Sequence, residues 1–261
     1  MAEQTLASER GGAIRRLLER FDEEIKRLRE HRQFRKQFLH FKSLCQSKRF
    51  QLDWRDRHPC MRERDTRTSS FDRHYVYHTA WAARVLARTR PEEHVDISSS
   101  LYFAGITSAF IPMRFYDFRP PNLRLDGIKV DYADLLSLPF PTSSIPSLSC
   151  MHVVEHIGLG RYGDPLDPEG DLKAIDELIR VTANGGLLLF VVPLGRRKLM
   201  FNAHRIYSYE DIIQYFGGLE LIDFSLIPED EKDGGLVMNA EANLVGRQTY
   251  GCGCFWFRKH L

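Results

Sequence analysis

The stretch Leu187-Leu188-Leu189-Phe190-Val191-Val192 holds no polar residue and no alternation of polarity. A strand with one face in water alternates apolar and polar side chains, so an unbroken apolar run of this length marks a strand covered on both faces. Just upstream, Asn184-Gly185-Gly186 reads as a turn and Asp171 to Val181 as a helix leading into it, while Pro193 closes the run. Helix, turn and doubly covered strand in succession predict an α/β sheet with helices on both sides.

The same grammar extends outward over everything after Pro91. Short apolar runs alternate with helical stretches at His94 to Ile97, Met113 to Phe118, Ile128 to Tyr132, Leu148 to Val153, Leu187 to Val192, Leu219 to Ile227 and Tyr250 to Phe257. Seven strands in a doubly wound, mostly parallel sheet are expected over residues 91–261. Residues 1–90 read differently. Ile14, Leu18, Phe21, Ile25 and Leu28 step by four and three, and the stripe then slips to Phe34, Phe38, Phe41 and Cys45. A helix over 12–45 follows, but two short registers fall below the three or four heptads of a coiled coil. The expectation is a helix packed on the domain or on a partner, a second copy of the chain included. Lys48 to Arg67, charged and interrupted by Pro59, reads as a linker, and Phe71 to Arg88 as a second amphipathic helix.

Composition sets the outer bounds. With 261 residues, 43% hydrophobic and 28% charged, the chain can bury a full core and is not a disordered or collagen-like sequence. The net charge of +2 conceals a split: residues 1–90 carry 22 Lys+Arg against 12 Asp+Glu, the remainder 15 against 23. A basic arm with its own partner is one reading of that asymmetry, and a solvated helix face is the other. Five cysteines are too few and too unpaired for a secreted disulfide scaffold, so reduced thiols and a cytoplasmic setting are expected. Cys252-Gly253-Cys254 is one residue too tight for the usual zinc or redox pair and reads as strand filler. The amino terminus shows no signal pattern, and the longest apolar run, Leu187 to Leu194, falls far short of the roughly 20 residues that span a bilayer. A soluble protein without a membrane span is expected.

In an open α/β sheet ligands bind beyond the carboxyl ends of the strands. The first strand ends Asp96-Ile97-Ser98-Ser99-Ser100, small residues that let backbone N–H groups approach a ligand, although the segment is not GxGxxG. The second ends at Asp117, 21 residues beyond Asp96, near the offset at which an acidic side chain holds a ribose. Asp134 precedes Leu138-Pro139-Phe140, His152-Val153-Val154-Glu155-His156 follows the fourth strand, and Glu177-Leu178-Ile179-Arg180-Val181 precedes Gly185-Gly186. This succession, over about residues 94–258, resembles class I S-adenosylmethionine-dependent methyltransferases. Within them, the segment His156 to Asp171 and Phe201-Asn202-Ala203-His204-Arg205-Ile206-Tyr207-Ser208 resemble a bacterial methyltransferase-like family of unknown function associated with surface-glycan biosynthesis.

The resemblance implies a Rossmann-like seven-stranded fold with an N-terminal helical extension, and roles for individual residues. Asp96, Ser98 and Ser100 would line the methionine end of the cofactor. Asp117 would hold the ribose with Phe118 against the adenine, and Asp134 with Leu135 would meet the adenine edge. Two departures stand out: serines replace the usual glycines at Ser98 and Ser100, and the acidic residue expected after Leu-Pro-Phe is absent from Ser144-Ile-Pro-Ser147.

The pattern His152-x-x-Glu155-His156 also matches an inverted zinc-protease motif, but that motif needs a helix, which Gly158 and Gly160 would break. A closer comparison is with the O-methyltransferases of ubiquinone biosynthesis and of small-RNA 3′ ends, where a similar Glu-His joins a later His around a divalent metal. Here Glu155, His156 and His204 would be that set. A sugar hydroxyl is a poor nucleophile at neutral pH, so a base or a metal would be needed to activate it. The expected mechanism has His156 as base, oriented by Glu155, with His204 nearby; the alternative is that Glu155 and His156 merely cap their loop. In the following loop Arg161 would grip a phosphate or carboxylate, and Tyr162 and Asp164 would meet the acceptor with Asn202 and Arg205. An internal pair of Arg161 with Asp164 or Asp167 is the competing reading. The expected activity is methyl transfer from S-adenosylmethionine to a sugar or glycan precursor. A catalytically silent methyltransferase-like binding module is the first alternative. A nucleic-acid methyltransferase using the basic arm is the second, and nucleic acid is the less favoured partner.

Overall fold

The computed structural model describes residues 2–44, 52–60 and 71–261, with side chains from residue 21 onward, in two compact units, Met1–Ser70 and Phe71–Leu261. Most of the expected linker lies outside the described residues, as do Cys45 and the side chains of Ile14 and Leu18.

In the first unit a single helix, α1 (Ala2–Leu44), runs through the apolar stripe. Its second register has a local partner: Trp54, on a 3-10 turn Trp54–Asp56, meets Phe34 and Phe38 with ring centres 5.9 and 4.9 Å away. Phe21 and Leu28 of the first register are exposed.

The second unit begins with α2 (Arg73–Thr89), whose buried face is His78, Trp81, Ala82, Val85 and Leu86. Composition groups this helix with the basic extension, yet it lies in the α/β unit. Its basic residues Arg84 and Arg88 sit away from the buried stripe, and the stripe decides where a helix packs. Then follow β1 (His94–Ile97), α3 (Leu101–Thr107), β2 (Met113–Asp117), β3 (Ile128–Tyr132) and β4 (Ile145–Met151). After a 3-10 turn at Val154–His156 come α4 (Gly170–Val181), β5 (Thr182–Leu194), β6 (Lys198–Met200), β7 (His204–Ile206) and α5 (Tyr209–Tyr215). β8 (Leu219–Ile227), β9 (Val237–Met238), α6 (Ala242–Gly246) and β10 (Gly251–Lys259) complete the chain.

The main sheet runs β3-β2-β1-β4-β5-β10-β8-β9, parallel through β5 and antiparallel beyond it. All seven expected strands are present. The eighth, β9, and the separate β6–β7 ribbon are two or three residues long, too short to leave a hydrophobic period. The expected turn at Asn184–Gly186 is instead an irregularity inside β5, where the register with β4 jumps from Ile145↔Thr182 to Ser147↔Leu187.

The β5 run behaves as its composition requires. Leu188, Phe190 and Val192 face a core with Ile175 and Leu178 of α4 and Ile212 of α5. Leu187, Leu189 and Val191 face the opposite core with Trp81, Val85 and Leu86 of α2 and Phe103 of α3. Each such side chain removed from water contributes about 1.5–3 kcal/mol, so both helical layers are held to the sheet through this strand. No described helix is long and apolar enough to cross a membrane.

Candidate functional site

The carboxyl ends of β1, β2 and β4 converge on one rim of the sheet. Asp96, in β1, is fully buried. One carboxylate oxygen accepts the Ser99 N–H at 3.0 Å and the other accepts the Ser149 hydroxyl. Ser149 also meets His94 Nε2 at 2.8 Å, and His94 Nδ1 meets Ser147 at 2.7 Å. Burial pushes the Asp96 carboxyl up to about 6 and the His94 imidazole down to about 3. Asp96 thus pins the β1–α3 loop from beneath and has no exposed surface with which to line a ligand. Ser98 takes φ 55, the left-handed conformation a glycine adopts without strain. Its hydroxyl and its N–H both donate to the Tyr116 carbonyl, at 3.2 and 2.7 Å, which turns the side chain toward β2. Ser100 is the N-cap residue of α3 and makes no side-chain capping bond.

Beyond this loop lies a cavity of about 300 Å³ whose lining includes Ser98, Asp117, Phe118, Asp134 and Leu135. Five of the seven expected cofactor residues therefore meet around one space. Asp117 accepts the Arg119 N–H at 2.7 Å, and Asp134 accepts the Leu136 N–H at 2.9 Å, so backbone bonds hold both carboxylates in place. Phe118 is 42% exposed with its ring 5.8 Å from that of Tyr132.

A second cavity of about 440 Å³ adjoins the first, and His152, His156 and Tyr162 line both. Its other walls include His74 and Tyr75 from α2, Glu155, Arg161, His204 and Tyr250. His156 Nδ1 lies 2.6 Å from the Ala203 carbonyl, which can only accept, so Nδ1 donates and, in the neutral ring, Nε2 is the accepting nitrogen; Arg161 Nη1 stands 3.2 Å from the same Nδ1. Glu155 does not orient His156 as expected: its Oε1 lies 2.8 Å from His152 Nδ1 and 3.8 Å from His156 Nε2. His152 has φ 58, sparsely populated for a non-glycine residue, and the Glu155 bond helps hold it there. His204 rests against Tyr250 at 5.2 Å, its ring 6.3 Å from that of His156, and burial lowers its pKa. Glu155, His156 and His204 do not form a converging ligand set. Among the described residues, the group whose ligand atoms all lie within 4.8 Å of one another is His74, His152 and Cys252.

The loop from Gly158 to Glu169 contributes Tyr162, Asp164 and Pro165 to the first cavity and Arg161 and Tyr162 to the second. Tyr162 lies between two guanidinium groups, Arg119 at 4.9 Å and Arg161 at 5.2 Å from its ring centre. Arg161 donates to the Ala203 carbonyl at 3.1 Å and pairs with neither Asp164 nor Asp167. Asp167 binds Lys173 instead, and Asp164 accepts backbone N–H groups from Gly158, Gly160 and Tyr162. Arg205 is buried, donating to the carbonyls of Ile157 and Pro168 and lying 3.4 Å from Asp171. Asn202 reaches the Leu159 carbonyl at 3.4 Å. Of the expected acceptor residues, Arg161 and Tyr162 reach the second cavity. Asp164 lines the first, while Asn202 and Arg205 tie the β6–β7 ribbon to the loop.

Three lining residues are not among those expected from the sequence: His74 and Tyr75, which lie in a helix grouped by composition with the basic extension, and Tyr250, which precedes β10. One signal was present: His74 and His78 are four apart, on one helical face. A larger cavity of about 580 Å³ beside α5 and α6 is lined by no histidine or cysteine and by a single carboxylate, Glu210.

The architecture is that of class I methyltransferases, as comparison with solved structures bears out. A proposed methyltransferase from Bacillus halodurans C-125 is 16% identical with a TM-score of 0.50, over 70% of this chain and 99% of that one. The 1,6-didemethyltoxoflavin N1-methyltransferase of Burkholderia thailandensis, solved with bound 1,6-didemethyltoxoflavin and S-adenosylhomocysteine, is 8% identical with a TM-score of 0.51, over 70% and 78%. A proposed sarcosine dimethylglycine methyltransferase from Galdieria sulphuraria is 13% identical with a TM-score of 0.50, over 71% and 85%. At this identity the likeness is one of fold. A family described as Caenorhabditis protein of unknown function, DUF268, matches residues 142–241, from just before β4 to just after β9. No curated protein matches the chain.

Proposed function

We propose that the chain is an S-adenosylmethionine-dependent methyltransferase acting on an oxygen of a sugar or glycan precursor. The observation that carries this reading is the sharing of His152, His156 and Tyr162 between the two cavities, which gives one space for a cofactor and one for an acceptor with a common wall. The residues of the first cavity fit the cofactor. Asp117 offers a carboxylate to the ribose hydroxyls, Phe118 an aromatic face to the adenine and Asp134 with Leu135 its edge, while the Ser98 hydroxyl is engaged by Tyr116 and turned aside. When bound, the cofactor supplies an electrophilic methyl group on sulfur.

The chain's own residues do the rest. His156, held through Nδ1 by the Ala203 carbonyl, keeps Nε2 free to take the proton from an acceptor hydroxyl, and Arg161 and Tyr162 bound the same cleft. Tyr75, Tyr162 and Tyr250 supply aromatic surface, with Asp72, Arg73 and Arg161 around them. Such walls suit a ring that is apolar on its faces and hydroxylated at its rim. Holding acceptor and methyl donor in line across the shared wall supplies the rate advantage of proximity.

Titration calorimetry with S-adenosylhomocysteine tests the reading, with saturable binding expected and no heat at millimolar ligand overturning it. His156→Ala should leave that binding unchanged and abolish transfer of labelled methyl to sugar-nucleotide acceptors. Unchanged transfer would remove His156 from the mechanism. A silent binding module is the second reading, favoured by the serine at a left-handed backbone position where a glycine is usual. It requires cofactor-cavity variants to leave all function intact.

A further inference from the structure

We propose that His74, His152 and Cys252 form a binding site for a divalent transition-metal ion of the zinc type, at the wall of the second cavity. The three come from different elements, the first turn of α2, the residue after β4 and the start of β10, and their ligand atoms lie within 4.8 Å of one another.

The spacing between His152 and Cys252 matches tetrahedral coordination. With zinc–nitrogen bonds of about 2.0 Å and zinc–sulfur bonds of about 2.3 Å, a nitrogen and a sulfur on one ion stand roughly 3.6 Å apart, and two imidazole centres roughly 5 Å apart. Cys252 Sγ is 3.4 Å from His152 Nε2; the His74 and His152 rings stack 14° from parallel with centres 5.4 Å apart, so the His74 ring turns to bring its nitrogen to the same ion. The donor set of two imidazoles and one thiolate belongs to borderline metals rather than to magnesium or calcium.

A second observation comes from Glu155. Metal-bound histidines commonly donate their other ring N–H to a carboxylate, which fixes the tautomer and orients the ring. His152 Nδ1 lies 2.8 Å from Glu155 Oε1, which presents Nε2 toward Cys252. Glu155 is 1% exposed, and its other oxygen, also buried, has no hydrogen-bond partner among the described residues. A buried carboxylate left half-satisfied is costly unless positive charge lies nearby, and an ion held by His152 supplies it.

Cys252, His152 and Glu155 also have the connectivity of a nucleophile, a base and its orienting group. Accessibility decides between the two uses. Cys252 is fully buried and lines neither cavity, so no substrate can reach its sulfur, whereas a metal ligand needs no contact with solvent. His74 and His152 do line the second cavity, so a fourth coordination position would open into it. Three protein ligands and one open position distinguish reactive zinc sites from closed structural ones.

The test is titration of the full chain, freed of metal by chelator, with Co²⁺ and then Zn²⁺. One Co²⁺ per chain should give a near-ultraviolet thiolate-to-cobalt charge-transfer band, displaced by Zn²⁺. The band should vanish in Cys252→Ser, vanish or weaken in His74→Ala, and persist in Cys60→Ser, which alters the exposed thiol. Glu155→Gln should weaken binding about 10–100-fold without abolishing the band. Absence of the band in the unaltered chain, its persistence in Cys252→Ser, or its loss in Cys60→Ser would overturn the site. Because Cys252→Ser is nearly isosteric, its circular dichroism should match that of the parent chain, which separates lost binding from lost fold. The metal titration stands whether or not the chain transfers methyl groups.

Discussion

Glu155 Oε1 accepts the Nδ1–H of His152 at 2.8 Å, joining the 3-10 turn after β4 to the strained residue at the strand's end. Both side chains are buried, so neither can turn to water if its partner is removed. Glu155→Ala should therefore cost about 1–3 kcal/mol of stability, the desolvation cost of an orphaned buried donor. Glu155→Gln keeps an acceptor and should cost less. Urea unfolding of the three proteins checks this, and equal midpoints would show that the bond carries no weight.

Asp117, whose carboxylate accepts the Arg119 N–H, lines the first cavity and takes no part in the core. Asp117→Ala should leave the unfolding midpoint nearly unchanged and weaken S-adenosylhomocysteine binding by 10-fold or more, as expected when a charged hydrogen-bond acceptor worth about 1.5–3 kcal/mol is removed. Calorimetry reads the affinity, and an unaltered affinity would place the ribose elsewhere.

The pH dependence of stability has an identifiable carboxyl component. Burial raises Asp96 from 3.8 to about 6, so the folded state binds its proton more tightly than the unfolded chain does. The stability this group contributes is fully present below pH 3.8 and is lost as the pH rises through about 6. His74, lowered to about 4 by burial and by His152, acts in the opposite sense, contributing stability above the usual histidine range that is lost as pH falls. The difference between the parent chain and Asp96→Asn isolates the carboxyl. The parent should lose stability relative to the variant between pH 4 and pH 7, and parallel profiles from chemical denaturation would show that Asp96 does not titrate in this window.

Two loop glycines should respond differently to the same change. Gly158 has φ 79, and an added Cβ would stand 2.0 Å from the Asp167 carbonyl oxygen; Gly163 has φ 84, with nothing within 4 Å of such an atom. Gly163→Ala meets only backbone strain, costing about 1–2 kcal/mol. Gly158→Ala adds a backbone collision, so its cost should be clearly larger and the loop should open to limited proteolysis near Tyr162. Similar melting temperatures and cleavage rates for the two variants would contradict this.

The sheet was legible because its signal is local. The unalternating β5 run, the spacing of the apolar segments and the helix before Gly185-Gly186 each follow from which side chains must leave water, and all seven expected strands form. The elements that escaped, β9 and the β6–β7 ribbon, were too short to show a period; the helix α2 was expected, but a few charges on its outer side grouped it with the extension rather than with the unit beginning at Phe71.

The site divides along the same line. By itself the sequence determined that Asp117, Phe118, Asp134 and Leu135 end or follow neighbouring parallel strands, and parallel strands bring their carboxyl ends to one rim. It could not determine which partner each polar side chain takes. Asp96 turns beneath its loop, where it accepts the Ser149 hydroxyl and the Ser99 N–H, and Glu155 bonds His152 rather than the adjacent His156. Only the tertiary structure brought His74, His152 and Cys252 together, across 78 residues on one side of His152 and 100 on the other. Strand periodicity is encoded in neighbours along the chain, whereas a ligand cluster depends on the packing of α2 and β10 against the end of β4, which no local pattern records.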